Sequence, residues 1–239
     1  MFKKTGLALL LLSAASYSNA AYQCNVTPQD DVTISPQSVK VVGSSGNMQI
    51  SPDGDITLNG QVLNVSEHQR QTAFSYQRAL RKDLPWIKQG AQQRLETARV
   101  ALDNVIVQQL GTNSNVRHRL TTLDAQLKQQ MERIIEQRSD ELVFHHQAIS
   151  QVEQEGRNLL QQSMGGVLQD SLNEMGIKQA ANNTGNPLQA LMGNLGGLQQ
   201  AIQNEWSQQE QDFQQFGHEV CNRVTLLENQ RKDLLKAVK

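Results

Sequence analysis

Residues 39–69 read VKVVGSSGNMQISPDGDITLNGQVLNVSEHQ. Four short β-prone runs are visible: Val39-Lys40-Val41-Val42, Met48-Gln49-Ile50-Ser51, Asp55-Ile56-Thr57-Leu58 and Gln61-Val62-Leu63-Asn64. The breaks between them are Gly43-Ser44-Ser45-Gly46-Asn47, Pro52-Asp53-Gly54 and Asn59-Gly60. Asn-Gly between two such runs is a strong hairpin signal, because both residues tolerate positive φ. The pattern predicts an antiparallel meander of three or four strands. A sheet that small is marginal alone and needs a cover for its apolar face.

The cover begins at once. Ser66 with Gln69 three residues on is a capping-box pattern that opens a helix. The first helix is expected over about residues 66–82, with Ala73, Tyr76 and Leu80 on one face. Asp83-Leu84-Pro85 breaks it, and a second helix runs from about Pro85 to Leu110, since proline suits a first helical turn. Gly111-Thr112-Asn113-Ser114-Asn115 ends that one. A third, long helix is expected over about residues 116–164. Its apolar positions, Leu120, Leu123, Leu127, Ile134, Leu142, Ile149, Val152 and Leu159, recur at spacings near three, four and seven. The last helix, about residues 197–238, carries the cleanest stripe and is expected to pair antiparallel with the third.

Between the last two helices lies a segment of different character, about residues 165–196. Met164, Leu168, Leu172 and Met175 suggest one short amphipathic stretch. Leu188, Leu191, Met192 and Leu195 suggest another, across the loop Asn182-Asn183-Thr184-Gly185-Asn186-Pro187. Gly165-Gly166 and Gly196-Gly197 read as helix terminators, with hinges as the alternative. Met- and Leu-bearing segments at the tip of a helical hairpin form adaptable surfaces. These eight apolar residues are the partner-binding candidates. The alternative is that they cover the protein's own bundle.

The N-terminus carries an address. Lys3 and Lys4 precede an apolar run from Leu7 to about Ala15, and Ser18-Asn19-Ala20 places small residues at a cleavage site. The run is too short to span a bilayer, which takes roughly 20 residues. Cleavage after Ala20 leaves Cys24 preceded by Gln23, which does not suit a lipoprotein signal. The chain is therefore expected in an oxidising compartment, the periplasm. Its two cysteines, Cys24 and Cys221, then pair within the chain, with intermolecular bridges or free thiols as the alternatives. Bonded together they would close a loop of nearly the whole mature chain.

Other chemistry is sparse. Basic and acidic side chains number 22 and 23, and loss of Lys3 and Lys4 leaves the mature chain net acidic. Nucleic acid is not an expected partner. The clusters Arg78-Arg81-Lys82 and Arg117-His118-Arg119 read as solvated helix faces. His68, His118, His145, His146 and His218 form no metal-ligand motif, so no metal or cofactor is expected. Asp53-Gly54-Asp55 lacks the ligand series of a calcium loop. Neither a nucleophile elbow nor a phosphate-cradling loop occurs, so no catalytic residue is assigned.

The whole chain resembles the YggN-like family of secreted proteobacterial proteins. The resemblance rests on the leader, Tyr22-Gln23-Cys24-Asn25, Pro52-Asp53-Gly54, Leu58-Asn59-Gly60, the Gln-rich helices and the late Cys221. That family carries no assigned function, so the resemblance implies a periplasmic location and no residue roles.

The expected fold is α+β, a small N-terminal antiparallel meander packed on an elongated, mostly antiparallel helical bundle or coiled-coil hairpin. Residues 1–20 form the leader, 21–65 the meander and 66–239 the bundle. The expected function is non-enzymatic binding of a protein partner in the cell envelope, as scaffold, adaptor or holdase-type chaperone. Two alternatives stand beside it: association with a membrane surface through the same tip, and a hydrolase or small-ligand site where meander and bundle meet. The heptad seams could close within one chain or between two copies.

Overall fold

A computed structural model describes residues 24–44, 46–181 and 187–238, with backbone alone at 164, 168, 175–181 and 187–195. The expected leader and its cleavage site lie outside the described residues. In chain order the elements are β1 (Asp30–Ile34), β2 (Val39–Gly43), β3 (Gly46–Ile50), β4 (Ile56–Leu58), β5 (Gln61–Val62), α1 (Glu67–Leu110), α2 (Asn115–Ile134), β6 (Ile135–Arg138), β7 (Glu141–Phe144), α3 (Ala148–Ala181) and α4 (Pro187–Val238). The seven strands form one antiparallel sheet in the order β5-β4-β3-β2-β1-β7-β6. The fold is α+β, as the sequence predicts.

Alternation builds the sheet. In β1 the residues Asp30, Val32 and Ile34 are buried, while Asp31 and Thr33 between them are only half-buried. Val39 and Val41 on β2, Met48 and Ile50 on β3, and Ile56 on β4 continue the buried face. Asn59 and Gly60 take φ of 51° and 84° in the tight turn between β4 and β5, where an L-residue other than Asn would be strained. Across the buried face lies α1, presenting Ala73, Tyr76, Leu80 and Leu84, with Leu227 and Leu234 of α4 beside it. The Ser66 capping box that starts α1 is present in both directions: the Gln69 amide donates to Ser66 Oγ and the Ser66 amide donates to Gln69 Oε1.

The helices form two antiparallel pairs. α1 and α4 run alongside each other over most of their length, from Gln69 bonded to the Ala237 carbonyl, through Asp83 with Arg223, to Arg94 with Asp212. α2 and α3 are tied by Arg133 to Glu155, Arg119 to Asp170 and the Asn115 amide to Glu174. α1 spans about 66 Å at 1.5 Å per residue. At the end remote from the sheet, Ile106, Leu110, Val116 and Leu198 form a second buried cluster.

Four expectations need correction. Pro85 does not separate two helices; it lies inside α1. Proline in a helix interior costs about 3 kcal/mol, and here burial of Tyr76, Leu80 and Leu84 on one side and Ala98 and Ile106 on the other holds the helix together across it. The expected long helix over residues 116–164 is two helices joined by the β6–β7 hairpin, which extends the sheet beyond β1. Leu142, assigned to the helical seam, sits instead in β7. The principal partner of the last helix is α1, although α3 also touches α4. Gly165-Gly166 and Gly196-Gly197 terminate nothing, since α3 and α4 run through them. At Gly166 an added Cβ would collide with the Arg119 guanidinium, so that glycine admits the cross-helix ion pair with Asp170.

Candidate functional site

Where sheet, hairpin and helices converge they leave a cavity of about 860 Å³. Its walls are apolar and come from distant parts of the chain. α1 contributes Tyr76, Leu80, Leu84 and Ile87; the α2–β6 junction and β7 contribute Ile134, Ile135 and Phe144. Ile149 closes the side toward α3, and Val220, Val224 and Leu227 line the side of α4. The volume falls within the range of small-molecule sites. The exposed lining residues Thr27, Ser150 and Glu153 mark its mouth.

Residues 24–29 lie across this cavity as an extended strap. Cys24, Val26, Pro28 and Asp30 are the more buried set, and Asn25, Thr27 and Gln29 are exposed. This is a strand's period of two, yet the strap's backbone makes no main-chain hydrogen bond to the described residues. It is fixed at its ends. Cys24 is disulfide-bonded to Cys221, and Asp30 is paired with Arg231. Both anchors are on α4. Ten helical residues rise about 15 Å, whereas six extended residues reach about 20 Å, so the strap has slack to bow over the space beneath it.

One end of the cavity is polar. Arg231 Nη1 lies 2.8 Å from Asp30 Oδ2, and its Nη2 lies 3.0 Å from Glu228 Oε2. Asp30 and Arg231 are 4% and 7% exposed, so the pair is desolvated. Burial lowers the proton affinity of the Arg231 guanidinium, but the Glu228 and Asp30 carboxylates outweigh it and the net shift is upward. The Tyr76 hydroxyl is pushed well above its ordinary range, chiefly by burial and further by Glu228. Asp30 Oδ1 accepts no hydrogen bond among the described residues. It rests against Gly43, its cross-strand neighbour, where a side chain would collide with it.

A second polar group sits beside the mouth. His146 Nδ1 lies 2.6 Å from Asp31 Oδ1, and the His146 amide donates to the same oxygen at 2.9 Å. Burial raises the Asp31 carboxyl, but the His146 hydrogen bonds outweigh it and hold the group below its ordinary value. His145 faces Glu136 at 3.4 Å on the neighbouring strand. Among the described residues no three His, Cys, Asp or Glu side chains are placed to hold a metal ion together.

Of the residues singled out from sequence, Cys24 and Cys221 meet in the bridge. Leu172 is 44% exposed on α3. The side chains of Met164, Leu168, Met175, Leu188, Leu191, Met192 and Leu195 lie outside the described residues. Residues of the basic clusters are engaged within the fold: Arg117 with Asp103 of α1, Arg119 with Asp170 of α3, and Arg78 over the Phe74 ring. Sequence reasoning missed Asp30, Glu228, Arg231, Asp31 and His146. The one available signal was the run Asp30–Ile34, whose inward period places Asp30 on the same face as Val32 and Ile34.

A family model described as "Protein of unknown function (DUF2884)" matches residues 24–239. The chain is 54% identical over 239 residues, the full length of both sequences, to "Uncharacterized protein YggN" of Escherichia coli strain K12. The proteins of the same description from strains O6:H1 (CFT073) and O157:H7 match equally. No solved structure matches. Among the described residues no helix is long and apolar enough to cross a membrane.

Proposed function

We propose that this chain, which belongs to the DUF2884 family of proteins of unknown function, is an exported, periplasmic, non-enzymatic protein that binds an apolar small molecule in the cavity between sheet and helices. One observation carries the reading: a mainly apolar space of about 860 Å³, walled by residues of β1, β6 and β7 and of all four helices. The apolar walls offer a guest dispersion contacts on several sides, and its binding would remove their apolar surface from water. The disulfide supports the exported location, because such bonds persist in oxidising compartments.

The test uses the protein from Ala21 onward with the bridge intact. The neutral dye N-phenyl-1-naphthylamine should bind saturably, with enhanced emission. Val224→Trp places an indole in the cavity and should abolish the enhancement while the melting temperature stays within a few degrees. Dye binding that survives this variant unchanged would remove the cavity from the proposal. Recovery of the native chain in the osmotic-shock fraction checks the location.

A further inference from the structure

Resting on that reading, we infer that the occupant carries a positive charge: an organic ammonium on an apolar body. The usual amphiphiles of an envelope are acids and phosphates, and their heads need a free cation. Arg231 is the single Lys or Arg among the described lining residues. Its guanidinium is already divided between Asp30 on Nη1 and Glu228 on Nε and Nη2. An arriving carboxylate would meet two carboxylates at the same place and would have to displace one of them.

Carboxylates outnumber cations at the polar end of the cavity. At the buried end Asp30 and Glu228 share one guanidinium, that of Arg231. Glu153, at the mouth, is paired with Arg157, which does not line the cavity. His146 holds Asp31 on its Nδ1. The buried end therefore holds two carboxylates against one cation, and isolated buried charge is expensive. An ammonium group supplies the missing positive charge. Like-charge juxtaposition disfavours the acidic amphiphile of the same chain.

The experiment is a competition against N-phenyl-1-naphthylamine with dodecylamine, dodecanol and dodecanoate, which share one chain length and differ in the charge of the head. All are used below their aggregation thresholds, at neutral pH. Dodecylamine should displace the dye at a concentration about tenfold below that of dodecanoate, which corresponds to about 1.4 kcal/mol, with dodecanol between them. Glu228→Gln should shrink that ratio at least about threefold. Glu153→Gln, an exposed substitution that leaves the buried cluster untouched, should shrink it less. A ratio near one, a preference for dodecanoate, or a ratio unchanged in both variants would overturn the inference. Dye that binds and is displaced equally by all three leaves the binding function standing and removes only the charge assignment. Absence of any dye binding removes both.

Discussion

Asp30 and Arg231 lie 2.8 Å apart with almost no access to water. The pair joins the first residue of β1 to the last turns of α4, so it fixes the sheet to the helix that closes the chain. Removing one member of a buried pair strands the other. Arg231→Met leaves Asp30 and Glu228 buried together without a cation and should cost about 3–5 kcal/mol, read as a fall in the urea midpoint. Asp30→Asn leaves Glu228 still matched to Arg231 and should cost less. Equal losses would show that the two carboxylates do not share the guanidinium.

The bridge acts on the same strap from its other end. Cys24 and Cys221 are 197 residues apart, and cross-linking so long a loop restricts the unfolded chain. Replacing both by serine should lower stability by about 2–5 kcal/mol. It should also free residues 24–29, whose backbone has no main-chain partner among the described residues. Limited proteolysis within that segment should therefore quicken beyond what the global loss explains, while β1 remains resistant.

Acid should loosen the molecule in a defined window. Asp31 is held below its ordinary value because hydrogen bonds from His146 outweigh burial. Glu96 is held down to about 2 by hydrogen bonds from Arg99 and then Lys128. A carboxyl depressed in the fold binds its proton more readily in the unfolded chain. Its contribution is complete above the unfolded value of about 4 and is lost as pH falls through the folded one. Urea midpoints should decline most steeply between about pH 4 and pH 2, and Asp31→Asn combined with Glu96→Gln should flatten that decline. An unchanged slope in the double variant would place the acid sensitivity elsewhere.

Gly90 opposes helix propensity to packing. Glycine within α1 costs about 1 kcal/mol relative to alanine. An added Cβ, however, would come within 2.5 Å of Phe216 Cε2. That ring is locked between Trp86, at 5.2 Å centroid to centroid, and the Arg94 guanidinium, 4.2 Å from its centroid. Arg223 covers the other aromatic, 3.8 Å from the Trp86 ring centre, and is itself held by Asp83. The ring has no open direction in which to retreat. Gly90→Ala should destabilise by about 1–3 kcal/mol, and a stabilised variant would show that Phe216 moves freely.

The strands β2 to β5 were legible because their turns announce themselves, whereas β1, Asp30–Ile34, was not among the expected three or four strands. Asn59-Gly60 and Pro52-Asp53-Gly54 carry residues chosen for their φ, and the strands alternate cleanly. The β6–β7 hairpin was not legible for the opposite reason. Its turn, Ser139-Asp140, contains no Gly, Pro or Asn, its strands are four residues each, and Leu127, Ile134 and Leu142 fall at near-heptad spacing through it. What decided the matter is non-local: Val32, Thr33 and Ile34 of β1 offer a free edge that Leu142, Val143 and Phe144 pair with. The cavity was hidden likewise. Its walls come from residues 24 to 231, and no local pattern records that they converge. Only Ile135, Leu142, Val143 and Phe144, a cluster rich in β-formers, hinted at a strand.

That unannounced turn stores a small strain. Ser139 takes φ of +50°, a left-handed conformation that costs an ordinary L-residue roughly 1–2 kcal/mol. The conformation is kept by the neighbours: Gln137 Nε2 donates to the carbonyls of Ser139 and Glu141 at 3.1 and 3.0 Å, and the β6–β7 ladder closes on either side. Ser139→Gly removes the Cβ clash but adds freedom to the unfolded chain. The balance should be a gain of about 0.5–1 kcal/mol. Ser139→Val, β-branched and less tolerant of positive φ, should lose at least about 1 kcal/mol. Because β7 pairs with β1, the loss should appear as faster exchange at the amides of β6 and β7 before those of β2 and β3. The reverse order would mean that the hairpin does not depend on its own turn.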